Sequence, residues 1–387
     1  MSVPDYKGGS IVNLMSSVVA AFRGHGLLYP PLPQLPPSVL GEAKNVVLWV
    51  VDGLGYGYLA RHGADSLLGR YLQGKITSVF PATTATAITA FLTGTAPQQH
   101  GLTGWFVYFR EIGRVVAVLP LQPRPSGMLA AGSGIIDPAA LFDPKPVFDR
   151  IGAQSYVVLP KRIARSAFNL AYCGTAQIRP YASLTQCFKI IASILKEHRE
   201  RKYIYAYWPE LDHLGHTHGI RSQAVAAHFA RLNDAFERFL KDIQGSETMV
   251  VVTADHGMVD SGATWLIELA THPALADTLA LPLCGDRRVA YCYVHRRKRR
   301  AFEDYVRRIL GDSMTLFESG KLIEEGYFGL GPAHPELGTR VGDYTLLMKE
   351  RYTLKDWLPG ERREVQVGAH GGLSDEELYV PLVVVKS

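Results

Sequence analysis

Short, wholly apolar runs alternate along the chain with longer stretches of helical spacing. Asn45-Val-Val-Leu-Trp-Val-Val51 has no polar side chain after its first residue and is rich in β-branched residues. That is the pattern of a strand covered on both faces, as in a parallel sheet. Residues 155–159, 202–207 and 248–253 repeat it, and residues 379–385 predict a late strand. Between these runs, residues 184–199 and 223–244 carry apolar side chains at helical spacing, and residues 11–22 predict an N-terminal helix. Strands alternating with helices predict an α/β fold around a mostly parallel sheet.

Two stretches break the rhythm. Residues 29–38 hold five prolines and read as an extended connector on the surface. From residue 262 to 349 the pattern becomes alternating: residues 288–294 and 344–348 predict strands and residues 301–310 a helix. The division expected is an N-terminal helix and connector over 1–44, a catalytic core over 45–261, an inserted α+β subdomain over 262–349, and a return to the core over 350–387.

Composition narrows the class without naming a function. With 387 residues, 47% hydrophobic and 20% charged, the chain can bury a large core and is not globally disordered. Its net charge of +5, spread over that length, tolerates anionic substrates but does not indicate nucleic acid. The four cysteines form no C-x-x-C pair, which predicts reduced thiols in a reducing compartment. The first nine residues lack a secretory signal pattern, and the apolar runs are too short to cross a bilayer. A soluble, cytoplasmic protein with no membrane partner is expected.

The chemistry gathers in segments where acidic or His residues follow an apolar run beside glycine. They are Val51-Asp52-Gly53, Asp212-His213-Leu-Gly-His216, Ala254-Asp255-His256-Gly257 and Ala369-His370-Gly371. Open α/β sheets place their sites beyond the carboxyl ends of the strands, so the first three can converge in one crevice and the fourth can close over it. Asp and His suit zinc or a similar divalent ion, and six ligands suffice for two metals with open positions. Two such cations would outweigh three aspartates by one charge and attract a phosphate. Asp52 alone could equally cap the next helix; the joint pattern of all four segments carries the metal reading.

A further segment, Phe80-Pro-Ala-Thr-Thr-Ala-Thr-Ala-Ile-Thr-Ala-Phe-Leu-Thr-Gly94, reads as a hydroxyl-rich helix start closed by glycine. A threonine there is an ordinary helix N-cap. Beside a metal cluster, its hydroxyl could instead be activated as a nucleophile among free backbone N–H groups that favour an oxyanion.

These blocks together resemble the alkaline phosphatase superfamily, and within it the nucleotide pyrophosphatase/type I phosphodiesterase family. The likeness runs from about Asn45 to Val385. It rests on Asp52-Gly53, on Phe80-Pro81-Ala82-Thr83-Thr84 followed by Thr93-Gly94 and His100-Gly101, on Asp212, Gly215, His216 and Gly219, on Thr253-Ala-Asp255-His256-Gly257-Met258, and on His370-Gly371. The resemblance implies a three-layer sandwich. It also implies a first metal held by Asp52, Asp255, His256 and the Thr84 hydroxyl, and a second held by Asp212, His216 and His370. Thr84 would be the nucleophile, forming a phospho-threonine that water hydrolyses; Thr83 is its neighbour and rival. Zinc is the family's metal, with manganese as an alternative, and a small phosphate ester the expected partner. Three positions depart from the family: Leu211 stands where proline is usual, Ala85 where an aromatic often follows the nucleophile, and Trp105 where an asparagine is expected. A sulfatase is not expected, since the nucleophile block lacks the Cys or Ser that such enzymes modify, with its downstream Pro and Arg.

The function expected is hydrolysis of phosphodiester or pyrophosphate bonds. A phosphomonoesterase or phosphomutase on the same site is the alternative, suggested by the ending Gly371-Gly-Leu-Ser-Asp-Glu-Glu-Leu-Tyr-Val-Pro381. A metal-dependent anion binder without turnover, or a nucleic-acid binder using His295-Arg-Arg-Lys-Arg-Arg300, are rivals of other classes. The basic run is followed by Glu303 and Asp304 and reads better as a solvated turn, so no nucleic-acid partner is expected. His213, His218, Tyr56, Tyr58, Lys161 and Arg162 are treated as neighbours without an assigned role.

Overall fold

A computed structural model describes residues 2–124, 137–143, 145–197 and 200–387. Its larger sheet has seven strands, in spatial order Leu72–Thr77, Tyr379–Lys386, Thr248–Thr253, Asn45–Val51, Lys202–Trp208, Gln154–Pro160 and Gln177–Tyr181. Four neighbouring pairs are parallel; only Tyr379–Lys386 runs against both strands beside it. The apolar runs are thus the strands, and Asn45–Val51, the most uniformly apolar, lies at the centre with every residue buried.

Both faces are covered, for a reason visible in the register. Trp49 pairs with Ala206 and Leu48 with Tyr205, so the two faces alternate along the strands. On one face Trp49 meets Phe188 and Phe236, from helices Leu184–Lys196 and Gln223–Asp242. On the other, Tyr203 and Tyr205 meet Phe22, beside helix Ile11–Ala21, and Phe91 of helix Thr84–Thr93. The result is the expected α/β sandwich of helix, sheet and helix layers. Helix Leu184–Lys196 ends before Glu197, and the predicted extension through residues 198–199 lies outside the described residues.

A second, antiparallel sheet has the order Met314–Glu318, Tyr344–Met348, Val289–Cys292, Cys284–Gly285, Phe106–Phe109, Arg114–Ala117 and Gln122–Pro123. Residues 262–349 therefore do not build this unit alone; strands from 106–123 form its other half. The proline-rich connector also differs from an open surface loop. Tyr29, Leu32 and Leu35 are buried, the Tyr29 hydroxyl donates to Gln99 Oε1 at 2.7 Å, and Pro37 opens a short helix, Pro37–Gly41. Its apolar positions, interleaved with the prolines, fasten it to the core. Among the described residues no helix is long and apolar enough to cross a membrane.

Candidate metal centre

Three neighbouring parallel strands each deliver one carboxylate. Asp52 follows Asn45–Val51 directly, Asp255 lies two residues beyond Thr248–Thr253, and Asp212 lies in helix Glu210–His218, which begins two residues after Lys202–Trp208. Strands of one sheet stand about 4.8 Å apart, so side chains at their carboxyl ends share one crevice. Helix Glu210–His218 adds His216 four residues after Asp212, one turn along the same face. Glycine permits the crowding. Gly53 has φ +76°, and a Cβ there would stand 3.0 Å from Asp212 Cα; a Cβ on Gly257 would stand 2.0 Å from the Glu376 carbonyl.

The first cluster is Asp52, Asp255 and His256, all buried. His256 Nε2 lies 3.4 Å from Asp52 Oδ1, 3.4 Å from Asp255 Oδ2 and 3.1 Å from Thr84 Oγ1. The outer oxygens are engaged. Asp255 Oδ1 accepts the N–H groups of Gly53 (3.2 Å) and His256 (3.0 Å), and Asp52 Oδ2 accepts the Tyr207 hydroxyl.

The second cluster is Asp212, His216 and His370. Asp212 Oδ1 lies 3.4 Å from His216 Nε2 and 3.8 Å from His370 Nε2, and the two Nε2 atoms are 3.1 Å apart. His370 also stacks on His256, with ring centroids 3.6 Å apart, so the two clusters adjoin.

The donor chemistry fits cations. His216 Nδ1 is 2.8 Å from the Gly368 carbonyl, His370 Nδ1 3.3 Å from that of Ala82, and His256 Nδ1 3.1 Å from that of Gly257. A carbonyl only accepts, so each Nδ1 carries a proton and each Nε2 presents a bare lone pair. Two such lone pairs 3.1 Å apart repel unless a positive charge lies between them. Asp52 Oδ1, Asp212 Oδ1 and Asp255 Oδ2 have no hydrogen-bond partner although buried. These are the same atoms that face the imidazoles. An orphaned buried carboxylate oxygen is costly, and three in one place call for a counter-charge.

Electrostatics agrees. Burial, then Asp255 and Asp212, pushes the Asp52 carboxyl well above its usual range, and burial takes Asp212 to about 7. Burial, then His256 and His216, holds His370 far below the ordinary imidazole value, and burial also lowers His216. Without cations Asp52 and Asp212 resist ionising together, and burial favours the neutral form of His216 and His370, the state a metal ligand needs.

The two threonines separate by contact. Thr83 is the N-cap of helix Thr84–Thr93, and its hydroxyl donates to Asp286 Oδ2 at 2.6 Å. Thr84 opens the helix with Oγ1 at the first cluster. A cavity of about 1000 Å³ opens over both clusters, lined by Asp52, Thr84, Asp212, His216 and His370 and also by Arg162, Trp105, Arg287 and Trp357. Trp105 thus stands at the cavity, whereas Ala85 is buried in the core.

The turn between Cys284–Gly285 and Val289–Cys292 holds both site loops. Arg288 makes a two-pronged ion pair with Glu377, Nε–Oε1 at 2.9 Å and Nη2–Oε2 at 2.8 Å. Glu377 also accepts the Gly372 N–H (2.8 Å) and the Ser374 hydroxyl (2.7 Å), which ties down the loop carrying His370. Sequence reasoning missed Tyr207, Asp286, Arg287 and Trp357, and it left Arg162 without a place. The only signal was three consecutive charges, Asp286-Arg287-Arg288, at the entry to an apolar run.

Comparison with known families settles the relationship. The model of the type I phosphodiesterase/nucleotide pyrophosphatase family matches residues 46–373. The chain belongs to that family. It is therefore a phosphoester-cleaving hydrolase of the alkaline phosphatase superfamily. No curated protein sequence matches it. Among solved structures it is similar to murine ectonucleotide pyrophosphatase/phosphodiesterase 5, at 17% identity over 87% of each chain, with a TM-score of 0.64. The human protein of that name gives 16% identity, 88% and 87% coverage and a TM-score of 0.65. Phosphonoacetate hydrolase from Sinorhizobium meliloti 1021, in complex with phosphonoformate, gives 18%, 89% and 90%, and 0.62. At these identities the likeness to the solved structures is one of fold.

Proposed function

We propose that this family member is a dinuclear-metal phosphodiesterase or pyrophosphatase that works through a covalent phospho-threonine. The observation that carries the reading is the convergence of three orphaned carboxylate oxygens and three bare imidazole nitrogens beside the Thr84 hydroxyl. Asp52, Asp255, His256 and Thr84 would hold one divalent ion, and Asp212, His216 and His370 the other. Asp and His donors suit zinc, with manganese as the alternative. When bound, the ions would lower the pKa of the hydroxyl and stabilise charge on the attacking and leaving oxygens.

The chain's own residues supply position. Thr84 Oγ1, held at the first turn of its helix, attacks phosphorus and gives its proton to solvent in the cavity, and the bond from phosphorus to the leaving oxygen breaks, that oxygen taking a proton from solvent in turn. Water then attacks the threonine phosphate, breaking the bond to Oγ1 and releasing the phosphoryl product. Backbone N–H groups at the start of helix Thr84–Thr93 favour the anion throughout. A murine relative of similar fold, in an inactive threonine-to-alanine variant, is in complex with AMP, which supports a small nucleotide or related ester as substrate here.

Elemental analysis together with hydrolysis of bis-p-nitrophenyl phosphate and p-nitrophenyl phosphate tests the reading. Two metal ions per chain and chelator-sensitive diester cleavage are expected, and strong preference for the monoester would overturn the diesterase assignment. Thr84→Ala should lower turnover by a factor on the order of 10³ or more, with metal content retained. Unaltered turnover in that variant would show that the nucleophile lies elsewhere.

A further inference from the structure

The turn after Gly285 sends three consecutive charged side chains in three directions. Asp286 accepts from Thr83 and Arg288 pairs with Glu377, whereas Arg287 lines the cavity shared with Thr84 and both ligand clusters. The first and third of these residues hold protein loops. Arg287 holds none. One of its terminal nitrogens donates to the Glu364 carbonyl at 3.1 Å, its guanidinium carbon lies 5.4 Å from the Trp357 ring centroid, and no carboxylate forms an ion pair with it among the described residues.

The other buried cations of this wall are accounted for. Arg124 is 2.6 Å from Asp356 Oδ1 and 2.7 Å from Glu361 Oε1, and Lys355 is 3.3 Å from Glu361 Oε2. Arg287 is only partly exposed, and that burial lowers its hold on its proton. Asp286 and Glu364 oppose the effect from nearby, yet Asp286 is already committed to Thr83. Arg162 and Arg362 line the same cavity, as do Glu361 and Glu364.

A partly desolvated guanidinium with most of its donors unused is costly to maintain as a structural group. Its planar fork suits two oxygens of one anion, and an aromatic ring beside it restricts its orientation. We infer that Arg287 binds a second anionic group of the substrate, a phosphate or carboxylate on the part of the molecule away from the reacting phosphorus. The inference rests on the phosphoester-cleaving reading above and narrows it to substrates that carry two separated negative groups.

A matched series of diesters tests it: p-nitrophenyl phenyl phosphate and its 4-carboxyphenyl and 4-phosphonophenyl analogues, all with the same leaving group. The metal-loaded wild-type enzyme should give a higher kcat/KM on at least one charged analogue than on the phenyl ester, and the better of the two identifies carboxylate or phosphate as the group received. In Arg287→Gln the kcat/KM of the carboxylate or phosphonate analogue relative to that of the phenyl ester should fall about tenfold to a hundredfold, carried mainly by KM. Arg287→Lys should recover part of the ratio, and Arg287→Glu should favour the phenyl ester. Circular dichroism and metal content, measured on each variant, keep misfolding apart from lost recognition. Equal losses on all three esters, or a ratio that does not move, would overturn the inference while leaving the hydrolase reading intact. A metal-loaded wild type that cleaves none of them would overturn both.

Discussion

Thr83 and Thr84 are adjacent, alike in chemistry and differently employed. The Thr83 hydroxyl is taken by Asp286, which leaves the Thr84 hydroxyl beside His256. Asp286 is thereby a positioning residue, since it fixes the turn that presents Thr84. Its loss removes a charge-assisted hydrogen bond worth about 1.5–3 kcal/mol. Asp286→Ala should lower kcat about tenfold to a hundredfold with KM little changed, and Asp286→Asn, which keeps an acceptor, should restore most of it. Thr83→Val should match Asp286→Ala, and the double variant should be no worse than either alone; additive losses in that cycle would sink the coupling. The two clusters of Asp52, Asp212, His216, Asp255, His256 and His370 could be picked out in the sequence because each of their segments carries a glycine close after an apolar run. Asp286 and Arg287 were not, because their meaning depends on a turn brought to Thr83 from about two hundred positions further along the chain.

Among the secondary elements, the buried strands could be read directly, since a strand covered on both faces shows its whole length as apolar residues. The short antiparallel strands could not. Phe106–Phe109 and Arg114–Ala117 are four residues each, too short to show a clear period, and join a sheet most of whose other members lie far along the chain. Their placement matters to the site, because the same sheet carries the Arg288–Glu377 pair that anchors the His370 loop. Burial works to raise the Glu377 carboxyl, but Arg288, Ser374 and the Gly372 N–H outweigh it and hold the group below its usual value of 4.5. Since the folded value is the lower one, the pair stabilises the protein fully above about pH 4.5. That contribution is lost as pH falls further, through the folded value. Removing one partner strands a buried charge, so Arg288→Met should cost about 3–5 kcal/mol at pH 7. Urea unfolding of the two proteins at pH 7 and in the acid range should show the difference shrinking as Glu377 protonates. A constant difference would mean that the ion pair is not its source.

At the scale of the whole molecule, the clusters store repulsion at the centre of the fold. Three carboxylates and three imidazoles meet where three parallel strands end, with Asp52, Asp255 and His256 fully enclosed. Cations that bind only the folded chain stabilise it by mass action, by about 4 kcal/mol at a thousand times the dissociation constant. Chelation should therefore lower Tm by several degrees, and added zinc should raise it again in a concentration-dependent way. Calorimetry with and without chelator reads this directly; a Tm indifferent to metal would argue that the site is satisfied by protons alone.

Tyr379–Lys386 lies between Thr248–Thr253 and Leu72–Thr77, and it is the last strand of the sheet to leave the ribosome. Within that sheet, Leu72–Thr77 has no other strand to pair with. A segment made early in synthesis thus waits, its edge unpaired, for one made some three hundred positions later. Closure of the sheet is a late, long-range event, and such events are slow and leave strand edges exposed meanwhile. The growing chain's burden is this interval, during which Leu72–Thr77 is open to the wrong neighbour.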